Sequence, residues 1–250
     1  IPALYGRRPR HKNPAQIIHE LDLLATAGTP SVYFVDDNFI GNKVRPRELL
    51  REMIAWRERT KPELGFLTEA SINLADDAEL RALMVAAGFT KVFVGIETPS
   101  VESLVECRKV QNQGRDLVAA VQTLQRDGLQ VMGGFIVGFD SDQPDIFKRQ
   151  FDFIQRSGVV TAMVGLLSAL PQTRLYQRLK REGRLETKST GNNTDATLNF
   201  RPKLNREFLQ AGYRELMKQL YEPRAYYQRI RTFMKNHRPT GPSLRLSRVD

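Results

Sequence analysis

Two adjacent carboxylates, Asp36 and Asp37, followed by Asn38, stand directly after the apolar run Ser31–Val35. Such groups bind a ligand ammonium, contribute to a metal site, or cap the start of a helix. Glu97 ends a second apolar run, Val92–Ile96, and its acceptor-only chemistry suits ribose hydroxyls or a cation. A third run, Gly133-Gly134-Phe135-Ile136-Val137-Gly138, has glycines inside and just past a strand-like segment. Glycine weakens a strand and is tolerated where a ligand or another backbone approaches closely, so a flat base or tight helix–sheet packing would each fit. The spacing is not a dinucleotide fingerprint, and no helix starts immediately after it. A metal needs three or four donors, while His11, His19 and His237 lie away from these run ends. No zinc or iron site is therefore expected from this chain alone. The single cysteine, Cys107, lies in Glu106-Cys107-Arg108-Lys109. A cation there could lower its pKa, but without a CxxC partner it reads as an incidental thiol. One thiol makes neither a disulfide nor an iron–sulfur cluster.

Each of these groups follows an apolar run that itself follows an amphipathic helix. Glycine marks four helix ends, at Ala27-Gly28, Ala87-Gly88, Asp127-Gly128 and Ser157-Gly158, because it takes the left-handed conformation at low cost. Asn13 predicts an N-cap with Pro14 at the first helical position and Gln16 completing a capping box; Asp76 with Glu79 repeats the pattern. Ile17, Leu21 and Leu24 share one helical face, and Leu117, Val121 and Leu124 another. The strand-like runs are Ser31–Val35, Gly65–Ala70, Lys91–Ile96, Gln130–Val137 and Val159–Leu167. Val92-Phe93-Val94 and Val159-Val160 are continuously apolar, which predicts strands buried on both faces. Strand starts recur at intervals of roughly 25–40 residues, enough for right-handed βαβ crossovers. Five strands and five helices imply an α/β fold with a parallel sheet, either doubly wound or curled into a barrel. In both, ligands collect at the C-terminal ends of the strands. Asp36 and Asp37, Glu69, Glu97 and Asp140 put acidic residues at four of the five exits, which favours a site there.

The chain has 250 residues, 41% hydrophobic and 26% charged, as in an ordinary core-forming domain with room for a small appendage. No run approaches the ~18 apolar residues of a membrane span and no signal-peptide layout is present, so a cytoplasmic location is expected. The first residue is Ile1 rather than Met, as in a fragment or processed product. Charge is uneven. From Pro171 to Asp250, 18 Lys and Arg stand against 7 Asp and Glu, whereas the first 170 residues hold 20 against 21. A basic C-terminal part suits nucleic acid, lipid headgroups or an acidic protein face, or is simply a solvated helical surface. It lacks the aromatic interleaving of single-strand binders, so nucleic acid is unsupported. Residues 186–200 read as a polar loop around Gly191-Asn192-Asn193. Residues 201–237 read as a basic helical region with Phe208, Tyr213, Leu216, Leu220 and Tyr226 available to pack, and 238–250 as a disordered tail.

Five stretches in order carry a resemblance: Tyr5–Arg10 (YGRRPR), Phe34–Asn42 (FVDDNFIGN), Val94–Ser100 (VGIETPS), Met132–Asp140 (MGGFIVGFD) and Leu166–Tyr176 (LLSALPQTRLY). Together the chain resembles the barrel of radical S-adenosylmethionine (SAM) enzymes, in the branch whose members usually carry an N-terminal cobalamin-binding domain. The resemblance implies a partial TIM-like (β/α) barrel over 1–185, with five of six units visible. It implies that Asp36, Asp37 and Asn38 receive the SAM amino group and that Glu97 lies near the ribose and methionyl part. Gly133, Gly134 and Gly138 would lie against adenine, with Ser168 and Leu170 closing that pocket. Ser71 and Asn73 stand where relatives often carry an Arg-x-Asp clamp. The family's CxxxCxxC loop, which gives three thiolates to a 4Fe-4S cluster, has no counterpart here, and Leu4-Tyr5-Gly6-Arg7 resembles the segment that normally succeeds that loop in the family. The chain is thus expected to be truncated just after the cluster loop, with any cobalamin domain upstream.

The implied parent reduces SAM at the cluster to a 5′-deoxyadenosyl radical that takes hydrogen from an unactivated carbon. With cobalamin it would then transfer a methyl group to a small-molecule or lipid substrate, served by an electron donor for the cluster. The chain alone is expected to be inactive, and no residue is singled out as catalytic. Two other readings fit the residues. One is a metal-independent barrel lyase using Asp36, Asp37 or Glu97, with a carboxylate of raised pKa. The other is a nucleic-acid-binding module after Pro171, with salt-steep affinity.

Overall fold

A computed structural model describes residues 11–42, 44–189, 191 and 196–240. Its helices and strands are α1 (Pro14–Thr26), β1 (Ser31–Phe34), α2 (Val44–Thr60), β2 (Gly65–Glu69), α3 (Ala78–Ala87), β3 (Phe89–Glu97), α4 (Val101–Glu106), α5 (Leu117–Arg126), β4 (Gln130–Val137), α6 (Ile146–Ser157), β5 (Ala162–Leu166), α7 (Arg174–Arg181), α8 (Arg206–Tyr221) and α9 (Pro223–Asn236). Short 3₁₀ turns occupy Ile72–Asp76 and Val110–Asn112. Tyr5–Arg10, Asn192 and Asn193, and the end of the expected tail from Gly241 lie outside the described residues.

The five strands are parallel and lie side by side in chain order. A doubly wound sheet reverses its order at a switch point, and this one does not. The sheet is therefore a curled partial barrel of TIM-like type, with helices on its convex side.

Local chemistry sets the element ends. Asn13 Oδ1 accepts from the Gln16 N–H at 2.9 Å and Gln16 Oε1 accepts from the Asn13 N–H at 2.9 Å, a complete capping box before Pro14. Gly88 closes α3 with φ of +102°, and Gly158 follows α6 with φ of +71°, conformations that L side chains rarely adopt. The cap expected at Asp76 belongs instead to its neighbour. Asp77 accepts from the Leu80 N–H at 3.1 Å, while Asp76 ends the preceding 3₁₀ turn and pairs with Arg115 at 2.8 Å.

Two strand expectations are corrected. β3 and β4 are not buried on both faces. Val92, Val94, Ile96, Val131, Phe135 and Val137 pack under the helices, while Phe93, Gly95, Glu97, Gly134 and Ile136 line an open concave face. A closed barrel fills its interior with side chains, whereas a partial barrel leaves that face accessible. Val159 and Val160 lie before the last strand, which begins only at Ala162. They are buried as loop residues, Val159 lying against Gly133 and the Val160 carbonyl accepting from the buried Arg229.

The basic C-terminal helices are architecture as well as surface. α9 packs on α5 and α6, and α8 packs on α6 and β5. Arg229 of α9 is fully buried, donating to the Val160 carbonyl at 3.2 and 3.3 Å and to Leu220 O and Gln155 Oε1 at 2.9 Å each. Its guanidinium also faces the Tyr221 and Tyr226 rings. Among the described residues, no helix is long and apolar enough to cross a membrane.

Candidate functional site

The strand exits enclose a cavity of about 370 Å³ on the concave face, a size that suits a small molecule. Asp37, Asn38, Glu97, Gly134, Ser168 and Leu170 line it, so exits far apart in sequence do converge. Asp36, Gly133 and Gly138 do not line it. Gly133 faces the convex side, where a Cβ would come within 2.7 Å of the Phe135 ring and 3.0 Å of Val159. Gly138 makes a turn with φ of +106° and donates its N–H to Asp142 Oδ2 at 2.8 Å. Burial pushes the Asp36 carboxyl up; His11 partly offsets this and Asp37 adds to it.

At the first two exits, side chains knit the loops together. Asn38 Oδ1 accepts from the Ser71 N–H at 3.1 Å, and Ser71 Oγ lies 2.5 Å from Asn73 Oδ1. Tyr33 donates its hydroxyl to Glu69 Oε1 at 2.6 Å. Burial first, then this carboxylate, push the phenol up to about 12. Glu69 lines the cavity. Tyr33 escaped sequence reasoning, although the period of two that places Glu69 on the concave face also places Tyr33 there.

Glu97 has a positive φ of +66°, and its Oε1 accepts from Lys109 Nζ at 2.6 Å. Lys109 was not foreseen as its partner. It is brought there by the 3₁₀ turn at Val110–Asn112, which Asn112 fastens to β3 by donating to Gly95 O at 3.1 Å and Ile96 O at 2.9 Å. The Glu97–Lys109 pair lies over Gly95, where an added Cβ would stand 2.6 Å from the carboxylate and 2.9 Å from the ammonium. Cys107 donates weakly to Leu104 O at 3.6 Å. Its thiol is raised, chiefly by desolvation and further by the Glu97 charge, which together outweigh the lowering pull of Lys109.

The acidic exit of β4 has a different use. Asp140 pairs with Arg184 at 2.6 Å and Arg178 at 2.9 Å, and Arg178 reaches Glu106 at 2.9 Å. Burial pushes the Asp140 carboxyl up, but the Arg184 hydrogen bonds and the two guanidinium charges outweigh it and hold the group below its ordinary value. Asp140 therefore ties the loop to α7 instead of joining the site. Asp142, almost fully buried, accepts from Ser103 Oγ at 2.7 Å and from the Gly138 and Phe139 N–H groups.

The charged cavity residues are thus Asp37, Glu69 and Glu97 against Lys109. This balance favours a ligand with net positive charge and one anionic group. Among the described residues, no three His, Cys, Asp or Glu side chains are placed to hold a metal ion.

Residues 173–248 match a domain of unknown function (DUF4070). The chain is 44% identical over 238 residues to the uncharacterized methyltransferase sll1242 of Synechocystis sp., covering 94% of this chain and 44% of that protein. It is 39% identical over 230 residues to the hopanoid C-2 methylase of Rhodopseudomonas palustris, covering 92% and 43%. The chain spans less than half the length of these relatives. The radical SAM methyltransferase TsrM of Kitasatospora setae, with tryptophan substrate and the SAM analog aza-SAM bound, superposes with a TM-score of 0.67 at 18% identity, over 96% of this chain and 49% of that one. The same enzyme with cobalamin and a [4Fe-4S] cluster bound gives 0.61 at 18% identity, over 83% and 41%. These likenesses establish the fold as a radical SAM barrel. The chain thus has the fold of radical SAM methyltransferases and is similar in sequence to proteins named as methyltransferases.

Proposed function

We propose that the chain binds SAM on its concave face, as the barrel of a cytoplasmic methyltransferase that acts at an unactivated carbon with the help of cobalamin. The observation that carries this reading is the charge around the cavity, three carboxylates against one ammonium. SAM combines a sulfonium, an ammonium and a carboxylate, so its net positive charge and single anionic group match that set. Asp37, beside Asp36 and Asn38, is the candidate for the ligand ammonium, and the second oxygen of Glu97 for a ribose hydroxyl. Gly134, with the Phe93 ring lying over it, offers a flat surface to adenine, and Ser168 and Leu170 offer its edge. Residues 1–185 form the barrel in this reading, 186–200 a connecting loop, and 201–237 a helical buttress.

In the whole enzyme an iron–sulfur cluster would supply the electron that cleaves SAM. These 250 residues do not fit one, since they contain a single cysteine and a 4Fe-4S cluster of this family takes three thiolates. The ligands must come from other residues, so the chain alone is proposed to bind SAM without cleaving it. Its own residues hold and orient the ligand and exclude water. A small-molecule or lipid substrate and an electron donor complete the proposal. The lyase alternative gains little, because Asp36, the carboxylate pushed up by burial, does not line the cavity.

Calorimetric titration of the chain with SAM tests the reading. Binding is expected, with affinity falling about tenfold in Asp37→Asn or Glu97→Gln, the usual scale for one charge-assisted hydrogen bond. Absence of binding at millimolar SAM would reject it.

A further inference from the structure

We propose that the outward face of α9 is a docking surface for an anionic lipid bilayer, an inference that does not depend on the SAM reading. The helix contains no Asp or Glu, and the acid before it, Glu222, caps it by accepting from the Ala225 N–H at 2.9 Å. Its exposed side chains form two ridges. Arg224, Arg231 and Lys235, continued by Arg238 just past the helix end, fall on one line of the helical surface. Tyr227 and Met234, two turns apart, form a second line beside it and are 62% and 70% exposed. Among the described residues, Arg231, Lys235 and Arg238 enter no ion pair. A cationic stripe alone is what any solvated helix offers, but a Tyr–Met ridge running beside it leaves apolar surface in water. An anionic bilayer satisfies both ridges, with headgroups on the cations and the acyl boundary on Tyr227 and Met234. Nucleic-acid phosphates would meet the cations and leave Met234 in water.

The inner side of α9 fixes where this face points. Arg229 holds the Val160 carbonyl just ahead of β5. The Phe233 backbone packs on Gly158, where an added Cβ would come within 2.9 Å of it. Thr240, beyond the helix, donates to Asp127 O at 2.9 Å, just ahead of β4. The helix therefore lies across the strand-entry end of the sheet, whereas the cavity is lined by the strand exits. A bilayer against α9 leaves the cavity mouth free. Because the helix is anchored at three points, both ridges are preformed along its length of about 20 Å, and docking pays little ordering entropy.

Co-sedimentation of the chain with vesicles tests the proposal. Vesicles of phosphatidylcholine with about one-third phosphatidylglycerol should bind it at least about tenfold more tightly than phosphatidylcholine alone, and added salt should weaken the binding. Arg231→Gln combined with Lys235→Gln should lower binding about 25-fold, roughly fivefold for each surface cation. Tyr227→Ser combined with Met234→Ser should lower it about tenfold, since the apolar ridge is lost while every cation stays. All four side chains are exposed, so unchanged thermal unfolding checks that the variants are folded. In a Met234→Trp variant, lipids with brominated acyl chains should quench the new fluorescence, while Trp56, buried in the core, stays unquenched in the unmutated chain. Equal binding to both kinds of vesicle, no loss in either double variant, or no quenching of the Met234→Trp variant would each overturn the inference. Binding to a short DNA duplex but not to anionic vesicles would overturn it too, and would make the face a nucleic-acid surface.

Discussion

Gly95 of β3 and Gly134 of β4 stand opposite one another in the parallel register, and each is overlaid by a side chain on the concave face. The Glu97–Lys109 pair covers Gly95, and the Phe93 ring tip would lie 2.8 Å from a Cβ at Gly134. Both neighbours are the far ends of flexible side chains, so an added methyl displaces them rather than the backbone. Gly95→Ala is expected to change stability by less than about 1 kcal/mol, since the strand gains propensity while the pair swings aside. SAM affinity should nevertheless fall about tenfold, the scale of one misplaced charged contact. Calorimetry and thermal unfolding of the same sample separate the two effects.

Tyr33 and Glu69 form the second lever on the cavity. Removing the phenol in Tyr33→Phe leaves Glu69 without the donor that holds Oε1 at 2.6 Å. Ligand affinity should drop by a fewfold, and in Glu69→Gln by about tenfold. The pH behaviour is specific. Tyr33 ionises near 12 because burial and the Glu69 charge both disfavour a phenolate. In Glu69→Gln the charge is gone, so the phenol should titrate at lower pH. Ultraviolet difference titration against Tyr33→Phe reads this directly, and an unmoved titration would show that the two groups do not interact.

The element plan was legible because caps and glycine stops are local chemistry: Asn13 with Gln16, and Gly88 after α3, act within one turn. The partition of the strands was not. Val92-Phe93-Val94 reads as uniformly apolar, and only the curvature of a partial barrel decides that Phe93 faces a cavity while its neighbours face helices. Nor can a carboxylate at a strand exit announce its partner. Glu97 meets Lys109 twelve residues on, and Asp140 meets arginines 38 and 44 residues on. In sequence the two acids look alike, yet one faces the cavity and the other is locked in an ion-pair network.

Asp140 accordingly predicts an acid-sensitive stability. Its carboxyl is held below the ordinary value of 3.8 in the folded chain. The stabilisation is present above that value and is lost as pH falls through the lower folded-state pKa, where the group finally protonates. Asp140→Asn should remove this component, flattening the decline of the unfolding midpoint below about pH 4, the ordinary aspartate range. At neutral pH the same variant should lose about 2–4 kcal/mol, because Arg184 and Arg178 keep their partly buried charges without the partner. Denaturant titrations at pH 7 and pH 3 measure both. A decline as steep as in the unmutated chain would remove Asp140 from the account.

Arg229 predicts how the C-terminal helices are held. Its contacts are two backbone carbonyls, one amide oxygen and two tyrosine rings, so its hold on α9 is hydrogen bonding and cation–π attraction. Arg229→Met keeps the apolar stem but leaves the Val160 and Leu220 carbonyls without these donors. Each unsatisfied buried acceptor costs about 1–3 kcal/mol, so a loss of roughly 3 kcal/mol is expected. Arg229→Lys, with fewer donors and no planar face, should fall between the two. Because these contacts are buried and short-ranged, 1 M salt should change the Arg229→Met deficit little, whereas exposed pairs such as Lys148–Asp152 would be screened. Guanidinium is itself a salt, so urea unfolding followed by the single tryptophan, Trp56, is the suitable measurement. A deficit that vanishes in salt would mean that Arg229 acts through long-range charge, and that the basic character of the helices matters more than where this guanidinium is buried.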